Sequence, residues 1–263
     1  MDYYICQVII IINLIKLDTS LPSKVLSVII PLYNEEKSIG KILYKVISTK
    51  LPFNTRREII IVNDSSTDDS KKVIEEYIKY NQEAQIKLVS HDKNSGKGAA
   101  VKSGINKISG DYVIIQDADL EYDPDDYYSL LKCMIDKKLK VIYGSRFLNK
   151  ENRHSYQTFY WGGRLVSLIT NILYNQNLTD EPTCYKMFDT TLLKSIKLNC
   201  NGFEFCPEVT SKVSRLGYKI KELPINYTPR SIEQGKKIRW TDGLEAITVL
   251  IKNRFISYKH IKK

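Results

Sequence analysis

Residues 25–35 read VLSVIIPLYNE, a run rich in apolar and β-branched residues that ends abruptly in polar ones. Four further runs of this kind follow, and stretches with apolar residues at helical spacing separate them. Strands that are apolar throughout and alternate with helices are typical of a parallel sheet covered on both faces. The pattern predicts an α/β domain with strands at Val25–Leu32, Glu58–Asn63, Ile86–Ser90, Tyr112–Gln116 and Val141–Tyr143.

The composition is that of a folded globular chain. Of the 263 residues, 43% are hydrophobic and 27% are charged, which is too apolar for a disordered protein. The 12 glycines and 8 prolines exclude collagen-like and low-complexity architectures, and no internal repeat indicates a solenoid. At this length we expect one large core with small appendages.

The pattern changes after about residue 150. An aromatic-rich stretch covers residues 156–174, and strand-like runs at Cys184–Phe188 and Ile220–Tyr227 flank a helical stretch at Pro207–Leu216. We therefore divide the chain into an apolar extension at residues 1–24, a main domain at 25–235 and a basic segment at 236–263.

The net charge of +10 lies mostly in the last fifth of the chain, since residues 212–263 contain 13 Lys or Arg against 4 Asp or Glu. Within this part, apolar residues recur on one helical stripe with basic residues off it, which predicts a basic amphipathic helix. A helix packed on the core and a helix on a membrane surface are equally compatible with this pattern. The stripe consists of Leu244, Ile247, Ile251, Phe255 and Tyr258.

The N-terminal run Tyr3–Leu17 is apolar but interrupted by polar residues. As a helix it would be roughly 22 Å long, short of the ~30 Å hydrocarbon core of a bilayer. Asp2 stands where a signal peptide has basic residues, and no Ala-x-Ala cleavage site follows. We expect a peripheral anchor or a packed helix or strand, without a transmembrane span or a cleaved signal peptide.

Polar residues that could carry chemistry follow three of the predicted strands. Parallel strands bind ligands at their carboxyl ends, and Glu35, Asp64 and the series Asp117-x-Asp119-x-Glu121 all lie there. Crowded carboxylates repel one another unless a cation or hydrogen-bond donors stabilise them. Hard oxygen ligands two residues apart suit Mg²⁺ or Mn²⁺ bound together with substrate phosphates, so we expect a metal at Asp119 and Glu121.

Other nucleotide and metal motifs are missing from the sequence. There is no Gly-x-Gly-x-x-Gly after the first strand and no P-loop signature. The five cysteines form no Cys-x-x-Cys pair, which argues against structural zinc and for a reducing compartment. The glycine-rich turn at residues 94–98 could approach a phosphate or simply begin a helix. The three histidines are far apart in the sequence, and we expect none of them near the site.

Taken together, these motifs resemble glycosyltransferase family 2, whose members have the GT-A fold, a Rossmann-like nucleotide-diphospho-sugar transferase fold. The residues that carry the resemblance are SVIIPLYNE at Ser27–Glu35, NDSSTD at Asn63–Asp68, Gly96-Lys-Gly98 and Asp117-Ala-Asp119. Gly144-Ser-Arg146, Thr179–Lys186 and the Arg230…Lys236 segment further resemble the branch that makes dolichyl- or polyprenyl-phosphate sugars. The resemblance covers roughly residues 25 to 245.

The resemblance implies a role for each matching position. The metal site falls at Asp119 and Glu121, and Asp119 is also expected to be catalytic. Basic residues that engage the acceptor phosphate and the donor diphosphate are Arg146, Arg230 and Lys236. The positions expected to bind the nucleotide-sugar donor are Pro31, Tyr33, Glu35, Asp64, Lys97, Gly98, Asp117 and Ala118.

Two features of the chain depart from the family pattern. The transmembrane helices of some members are missing, and the triplet Cys184-Tyr185-Lys186 replaces a Gly/Ser-Phe-Arg found in many.

The predicted reaction is inverting, metal-dependent transfer of a hexose from a nucleotide sugar to a dolichyl or polyprenyl phosphate. Mannose from GDP-mannose is the first expectation and glucose from UDP-glucose the second. A lipid phosphate is already anionic at neutral pH and attacks without a strong general base. We expect a peripheral protein at the cytoplasmic face of a membrane, with the membrane surface as a partner and no nucleic acid; a small membrane-anchor subunit is left open.

Three other classes stay open at this point. A transferase with a hydroxyl acceptor needs a carboxylate base, for which Asp180 is the candidate. A nucleotidyltransferase uses similar paired carboxylates, and a non-catalytic binding module would use only the basic C-terminus.

Overall fold

A seven-stranded sheet lies at the centre of the computed structural model, which describes residues 24–153, 157–230, 240–257 and 261–262. Residues 1–23 of the N-terminal extension, Lys236 and Tyr258 fall outside these ranges, so the predictions made for them are not addressed. The strands are β1 (Val25–Leu32), β2 (Arg56–Asn63), β3 (Ile86–Ser90), β4 (Tyr112–Ile115), β5 (Val141–Ser145), β6 (Lys186–Asp189) and β7 (Lys221–Pro224).

Helices connect these strands, as the alternating pattern predicts. A 3₁₀ turn at Pro124–Asp126 precedes the fourth of them. The helices are α1 (Ile39–Ser48), α2 (Ser70–Tyr80), α3 (Lys97–Ile105), α4 (Tyr127–Asp136), α5 (Gln157–Tyr174), α6 (Thr190–Ser195), α7 (Phe205–Arg215) and α8 (Trp240–Phe255).

The strand order is β3-β2-β1-β4-β6-β5-β7. Strands β1, β2, β3 and β4 pair in parallel, as do β5 and β7, and β6 is antiparallel to both of its neighbours. From β1 the chain first moves outward to β2 and β3, and it then returns to β4 on the other side of β1. The carboxyl ends of β1 and β4 therefore flank a topological switch point, where open α/β sheets bind their ligands.

The central strands are apolar because both of their faces are covered. Residues 26–32 of β1, 58–63 of β2 and the whole of β5 are buried. Helix α1 buries Ile39, Ile42, Leu43 and Val46, which recur at helical spacing, and it contacts α2. The α/β class and the mostly parallel sheet are thus confirmed.

Strand β6 begins two residues later than the sequence predicts, and it contains a buried lysine. The Nζ of Lys186 lies 3.9 Å from the centre of the Tyr143 ring and donates a hydrogen bond to the carbonyl oxygen of Glu181. The aromatic face and the carbonyl take the place of water around the ammonium group. This environment comes from other parts of the chain, so the local sequence could not predict it.

Helix α8 is present, but the residues that it buries are not those of the predicted stripe. Leu250 and Asn253 are buried against α5 and α7, where the hydroxyl of Tyr174 donates to the Leu250 carbonyl oxygen at 2.5 Å. The stripe residues Leu244 and Phe255 are exposed, at 57% and 81%. The polar Asn253 is buried because its amide donates to the Ser211 hydroxyl at 2.9 Å.

None of the helices in the described ranges has both the length and the apolar character needed to cross a bilayer.

The amino-terminal half of β2 holds a buried carboxylate, Glu58, that ties the sheet together. Its oxygens accept hydrogen bonds from the Ser27 hydroxyl at 2.6 Å, the Ser109 hydroxyl at 2.8 Å and the Gly110 amide at 2.9 Å. Lys87 lies 3.3 Å away. Burial disfavours the charged form, but these donors outweigh it, and the pKa of Glu58 falls to about 2.

We predict that Glu58→Gln lowers the free energy of unfolding by about 2 kcal/mol at pH 7. Because the folded-state pKa lies below the ordinary value, the ionised carboxylate stabilises the fold above the ordinary pKa. That contribution disappears as the pH falls toward 2, so the difference between variant and wild type should shrink in acid. Urea unfolding at pH 7 and at about pH 3 measures this.

The exposed Glu83→Gln is the matched control and should change the unfolding free energy little at either pH. If Glu58→Gln lowered the free energy of unfolding by the same amount at both pH values, the stabilising role of the ionised Glu58 carboxylate would be contradicted.

Candidate active site

A cavity of about 240 Å³ opens at the switch point between β1 and β4. Its walls come from the segments that follow β1, β2, β3 and β4, together with Phe203 and Arg230. Of the residues predicted for the site, the structure brings ten to this cavity: Pro31, Tyr33, Glu35, Asp64, Lys97, Asp117, Ala118, Asp119, Glu121 and Arg230.

The segments that follow β1 and β2 are locked together by polar side chains. The Asn34 amide donates to the Ser66 hydroxyl at 3.0 Å, and the Thr67 amide donates to the Asn34 side-chain oxygen at 2.8 Å. Asn34 has a φ of +50°, in the left-handed region that asparagine tolerates. The Glu35 amide in turn donates to the Ser70 hydroxyl at 2.9 Å. These contacts explain why short polar residues follow both strands.

Asp117 forms an ion pair with Lys97 at the floor of the cavity, with 2.5 Å between Oδ1 and Nζ. Burial opposes ionisation of both groups. The ammonium of Lys97 nevertheless holds the pKa of Asp117 below its usual value, and Asp117 raises the pKa of Lys97. Both side chains are therefore charged at neutral pH. The ring of Phe203 lies 5.7 Å from the Lys97 Nζ and shields this pair.

Asp119, Glu121 and Glu35 converge on the side chain and backbone of Arg230. The guanidinium contacts Asp119 Oδ2 at 2.7 Å and both carboxylate oxygens of Glu35 at 3.1 Å. The Arg230 amide donates to Glu121 Oε1 at 2.6 Å, and the Tyr227 hydroxyl donates to Glu121 Oε2 at 3.1 Å. Burial and the neighbouring carboxylates of Asp117 and Glu121 raise the pKa of Asp119 to about 7.

This arrangement fits an open metal site rather than a closed one. Among the described residues, no group of three or more His, Cys, Asp or Glu side chains forms a metal cage. Asp119 and Glu121 supply carboxylate oxygens at the cavity wall, which is the donor type that Mg²⁺ and Mn²⁺ prefer when they share their coordination with phosphates. A cation at Asp119 would compete with the Arg230 guanidinium for the same oxygen.

A buried polar network below the cavity positions Asp117. The side-chain amide of Gln116 donates to the Asp117 carbonyl oxygen at 2.9 Å. The Gln116 oxygen accepts hydrogen bonds from the hydroxyls of Tyr185 at 2.7 Å and of Tyr127. Gln116 is fully buried, so the network holds the end of β4 rigidly. From the sequence alone, only the position of Gln116 at a strand end pointed to this network.

The glycine-rich turn owes its composition to packing against the backbone. A Cβ at Gly96 would lie 2.4 Å from the carbonyl oxygen of Asn201, and a Cβ at Gly98 would lie 2.9 Å from that of Gly202. The Gly98 and Ala99 amides donate to the same two carbonyl groups, at 3.1 and 3.0 Å. The amides at the start of α3 are thus used within the protein, and Gly98, predicted to bind the donor, does not line the cavity.

Arg146, predicted to engage phosphate, is instead held by Asp180 away from the cavity lining. Its Nε and Nη2 donate to the two carboxylate oxygens at 2.8 and 2.7 Å, and its backbone amide donates at 2.9 Å. The guanidinium also lies 5.2 Å from the centre of the Tyr227 ring. Asp180 is fully buried, so a cation beside it is required. Both residues belong to motifs that the sequence analysis identified, but neither motif indicates that they pair.

The expectation that no histidine lies near the site is wrong. His91 follows β3 and contacts the carboxylate of Asp64 at 2.6 Å through Nδ1. Asn94 of the glycine-rich turn also lines the cavity, as do Phe203 and Ala100, which no site motif singled out. Phe203 precedes α7 and reaches the cavity only through the fold, so the sequence carried no signal for it.

The mostly parallel seven-stranded sheet, with a cavity at its switch point, has the architecture of the GT-A fold. The structure superposes on a crystal structure of glucosyl-3-phosphoglycerate synthase from Mycobacterium tuberculosis in complex with Mn²⁺, UDP-glucose and phosphoglyceric acid, with a TM-score of 0.63. The match covers 89% of this chain and 81% of that one at 16% sequence identity, and it shows the fold.

The chain belongs to glycosyl transferase family 2, whose family model matches residues 27–197. It is 30% identical to dolichyl-phosphate beta-glucosyltransferase ALG5A of Trichomonas vaginalis, over 86% of this chain and 72% of the relative. It is 28% identical to a UDP-N-acetylglucosamine–dolichyl-phosphate N-acetylglucosaminyltransferase of Methanococcus voltae, over 82% of this chain and 91% of the relative. The family predicted from the sequence motifs is therefore confirmed.

We predict that Arg146→Met lowers the free energy of unfolding by about 3 kcal/mol, because it leaves the buried Asp180 carboxylate without its cation. Adding Asp180→Asn to this variant should restore part of the loss. Urea unfolding of the two variants and the wild type measures both effects.

Lys140→Met is the control, since Lys140 pairs with Asp189 at the surface and its loss should cost less than about 1 kcal/mol. If Arg146→Met left unfolding unchanged but weakened diphosphate binding, the phosphate-binding role that the sequence predicts would be supported instead.

Proposed function

We propose that the protein transfers a hexose from a nucleotide sugar to a dolichyl or polyprenyl phosphate. The observation that carries the proposal is the cavity at the switch point, in which the carboxylates of Asp117, Asp119 and Glu121 face the cations of Lys97 and Arg230. Such a set of charges suits a substrate that brings both a diphosphate and a divalent cation. Membership of glycosyl transferase family 2 supports the reaction class.

A UDP-sugar is the donor that we now favour over GDP-mannose. The two curated relatives described above act, by their names, on glucose and on UDP-N-acetylglucosamine, and neither is a mannosyltransferase. The structural neighbour was crystallised with UDP-glucose. UDP-glucose is therefore the first donor to test, and GDP-mannose is the second.

The proposed acceptor is a lipid phosphate, because both curated relatives are named for dolichyl phosphate. A phosphate monoester oxygen is anionic at neutral pH and attacks the anomeric carbon without prior deprotonation. Asp180, the base considered for a hydroxyl acceptor, accepts three hydrogen bonds from Arg146 and has no exposed surface. Its environment disfavours that alternative.

Asp119 and Glu121 would hold Mg²⁺ or Mn²⁺, and the structural neighbour contains Mn²⁺. A bound cation would neutralise charge on the departing diphosphate as a Lewis acid. Asp119 accepts one hydrogen bond from Arg230 and one from the Glu121 amide, so its carboxylate would still offer an acceptor position to a cation. The Arg230 guanidinium beside it would bind phosphate oxygens. Attack from the face opposite the leaving group inverts the anomeric carbon.

Helices α5 and α8, which pack against each other, expose apolar side chains that we call the α5–α8 face. Helix α5 has a single charged residue, Arg164, in its 18 residues. Helix α8 has the acidic Asp242 and Glu245 in its first half and the basic Lys252 and Arg254 in its last turn. Apolar side chains with basic neighbours suit the interface of an anionic membrane. The face is formed by the exposed residues Trp161, Leu165, Leu168, Ile172, Trp240, Leu244, Ile251 and Phe255.

We predict that the protein transfers radiolabelled sugar from UDP-glucose to a polyprenyl phosphate, with the label moving into the organic phase. Chelation of divalent cations should abolish the transfer, and Mg²⁺ or Mn²⁺ should restore it. Asp119→Asn should lower turnover by roughly a thousandfold, since it removes the carboxylate charge from the metal site.

The matched control is Asp125→Asn, because Asp125 is an exposed carboxylate in the nearby 3₁₀ turn and does not line the cavity. Label in the organic phase from GDP-mannose alone would overturn the donor assignment. No lipid-linked label from either donor, with a purified and folded protein, would overturn the acceptor class.

We predict that the α5–α8 face binds the membrane. Replacing Leu165 and Leu168 together with glutamate should weaken binding to phosphatidylcholine–phosphatidylserine vesicles by roughly tenfold or more. Both side chains are half exposed, so the fold should tolerate the change. Vesicle flotation measures the bound fraction.

Tyr80→Glu, at the exposed C-terminal end of α2, is the control and should float like the wild type. If both variants lost vesicle binding equally, the net charge of the protein, rather than the α5–α8 face, would govern the binding.

A further inference from the structure

His91 connects Asp64, the residue after β2, with helix α3. Its Nδ1 lies 2.6 Å from Asp64 Oδ1, and its Nε2 lies 2.8 Å from the Ser103 hydroxyl in α3. Because a carboxylate only accepts, the hydrogen is assigned to Nδ1, and the Nε2 of a neutral ring then accepts from Ser103. The His91 amide also donates to the Asn63 carbonyl at 2.9 Å, which fixes the backbone at the end of β3.

The carboxylate that His91 contacts is saturated by donors from the protein. Besides His91, it accepts from the Ser95 amide at 2.9 and 3.1 Å and from the Gly96 amide at 2.7 Å. A carboxylate has about four acceptor positions, and these contacts occupy them. Asp64 thus holds the loop that ends in Gly96 and Lys97, and this loop forms the cavity wall opposite the end of β1.

The order Ser103, His91, Asp64 resembles a nucleophile–base–carboxylate series, but the surroundings do not fit that chemistry. Ser103 lies within α3 and does not line the cavity, so no substrate carbonyl or phosphate in the cavity meets its hydroxyl. Nucleophilic catalysis also requires donors for a developing oxyanion beside the serine. The series instead connects α3, β3 and Asp64 into one rigid unit.

We propose that His91 is a positioning residue of the donor pocket, acting through Asp64 on the loop that carries Gly96 and Lys97. The inference rests on the proposed function, because the pocket is taken to bind a nucleoside diphosphate. In this arrangement Asp64 shapes the wall, and it contributes to nucleotide affinity only as long as His91 holds it. Without the His91 hydrogen bond, Asp64 is held only by the Ser95 and Gly96 amides, so the loop is less rigid and Lys97 is less firmly placed opposite Asp117.

The test measures binding of UDP, and separately of GDP, to the full chain by calorimetry. His91→Ala should weaken binding of the nucleotide that the wild type prefers by roughly tenfold, the loss usual for a hydrogen bond to a charged group. In steady-state transfer the same variant should raise KM for the donor and leave kcat within about twofold. His91→Asn, whose amide can replace the Nδ1–H donor, should recover most of the affinity.

Two further variants separate positioning from general destabilisation. Ser103→Ala removes the outer bond and leaves the contact between His91 and Asp64, so nucleotide affinity should change less than about threefold. Asp64→Asn, which also alters the contacts with the Ser95 and Gly96 amides, should weaken binding at least as much as His91→Ala. The double variant should be no worse than Asp64→Asn alone, because His91 acts through that carboxylate.

Hydrogen exchange gives a readout that needs no nucleotide. The amides of Ser95 and Gly96 should exchange faster in His91→Ala than in the wild type, with the core strands unchanged. Normal nucleotide affinity in His91→Ala, additive losses in the double variant, or unchanged exchange at these two amides would each overturn the proposal. If the wild type binds neither UDP nor GDP, the proposed function fails, whereas the exchange result still decides the role of His91.

Discussion

The crowding of negative charge at one edge of the sheet is the constraint on which the rest of the site depends. Parallel strands bring Asp117 and Asp119 to the place where Glu35 also lies, and like charges so close are unstable without compensation. Lys97, at the start of α3, contributes one compensating positive charge, and Arg230, more than a hundred residues further along the chain, contributes another. The same ion pairs that stabilise the fold therefore place two cations where a diphosphate would need them.

Most of the fold could be predicted from the sequence, because parallel strands that are buried on both faces are apolar along nearly their whole length. The strand at Val25–Leu32 was predicted with its observed bounds, and the family motifs led to the correct fold class. Prediction failed where partners distant in the sequence decide burial. Lys186 is buried against the ring of Tyr143 from another strand, and Asn253 is buried where Ser211 accepts its hydrogen bond.

Part of the site could also be predicted from the sequence, because the topology of the sheet determines where the residues after each strand lie. Residues that follow a strand directly, such as Asp64 and Asp119, were identified because topology alone carries them to the carboxyl edge. Phe203 and His91 were not, since their places depend on contacts that only the folded chain brings together. Arg146 matches a motif for phosphate binding, and the fold adds a contact that the motif does not indicate, the ion pair with the buried Asp180.

The position of the α5–α8 face gives the proposed acceptor a physical rationale. Helix α5 begins beside the loop that follows β5, where the rings of Phe147 and Tyr160 meet at 5.1 Å between centroids. Strand β6 is antiparallel to both β4 and β5, so β4 and β5 run in the same direction. The loop after β5 therefore lies at the edge of the sheet where the cavity opens. A lipid phosphate has to leave its tail in the membrane while its headgroup reaches the donor. An apolar face that begins at the edge of the sheet where the cavity opens would suit both requirements of the proposed acceptor, whereas an acceptor free in solution would make no use of it.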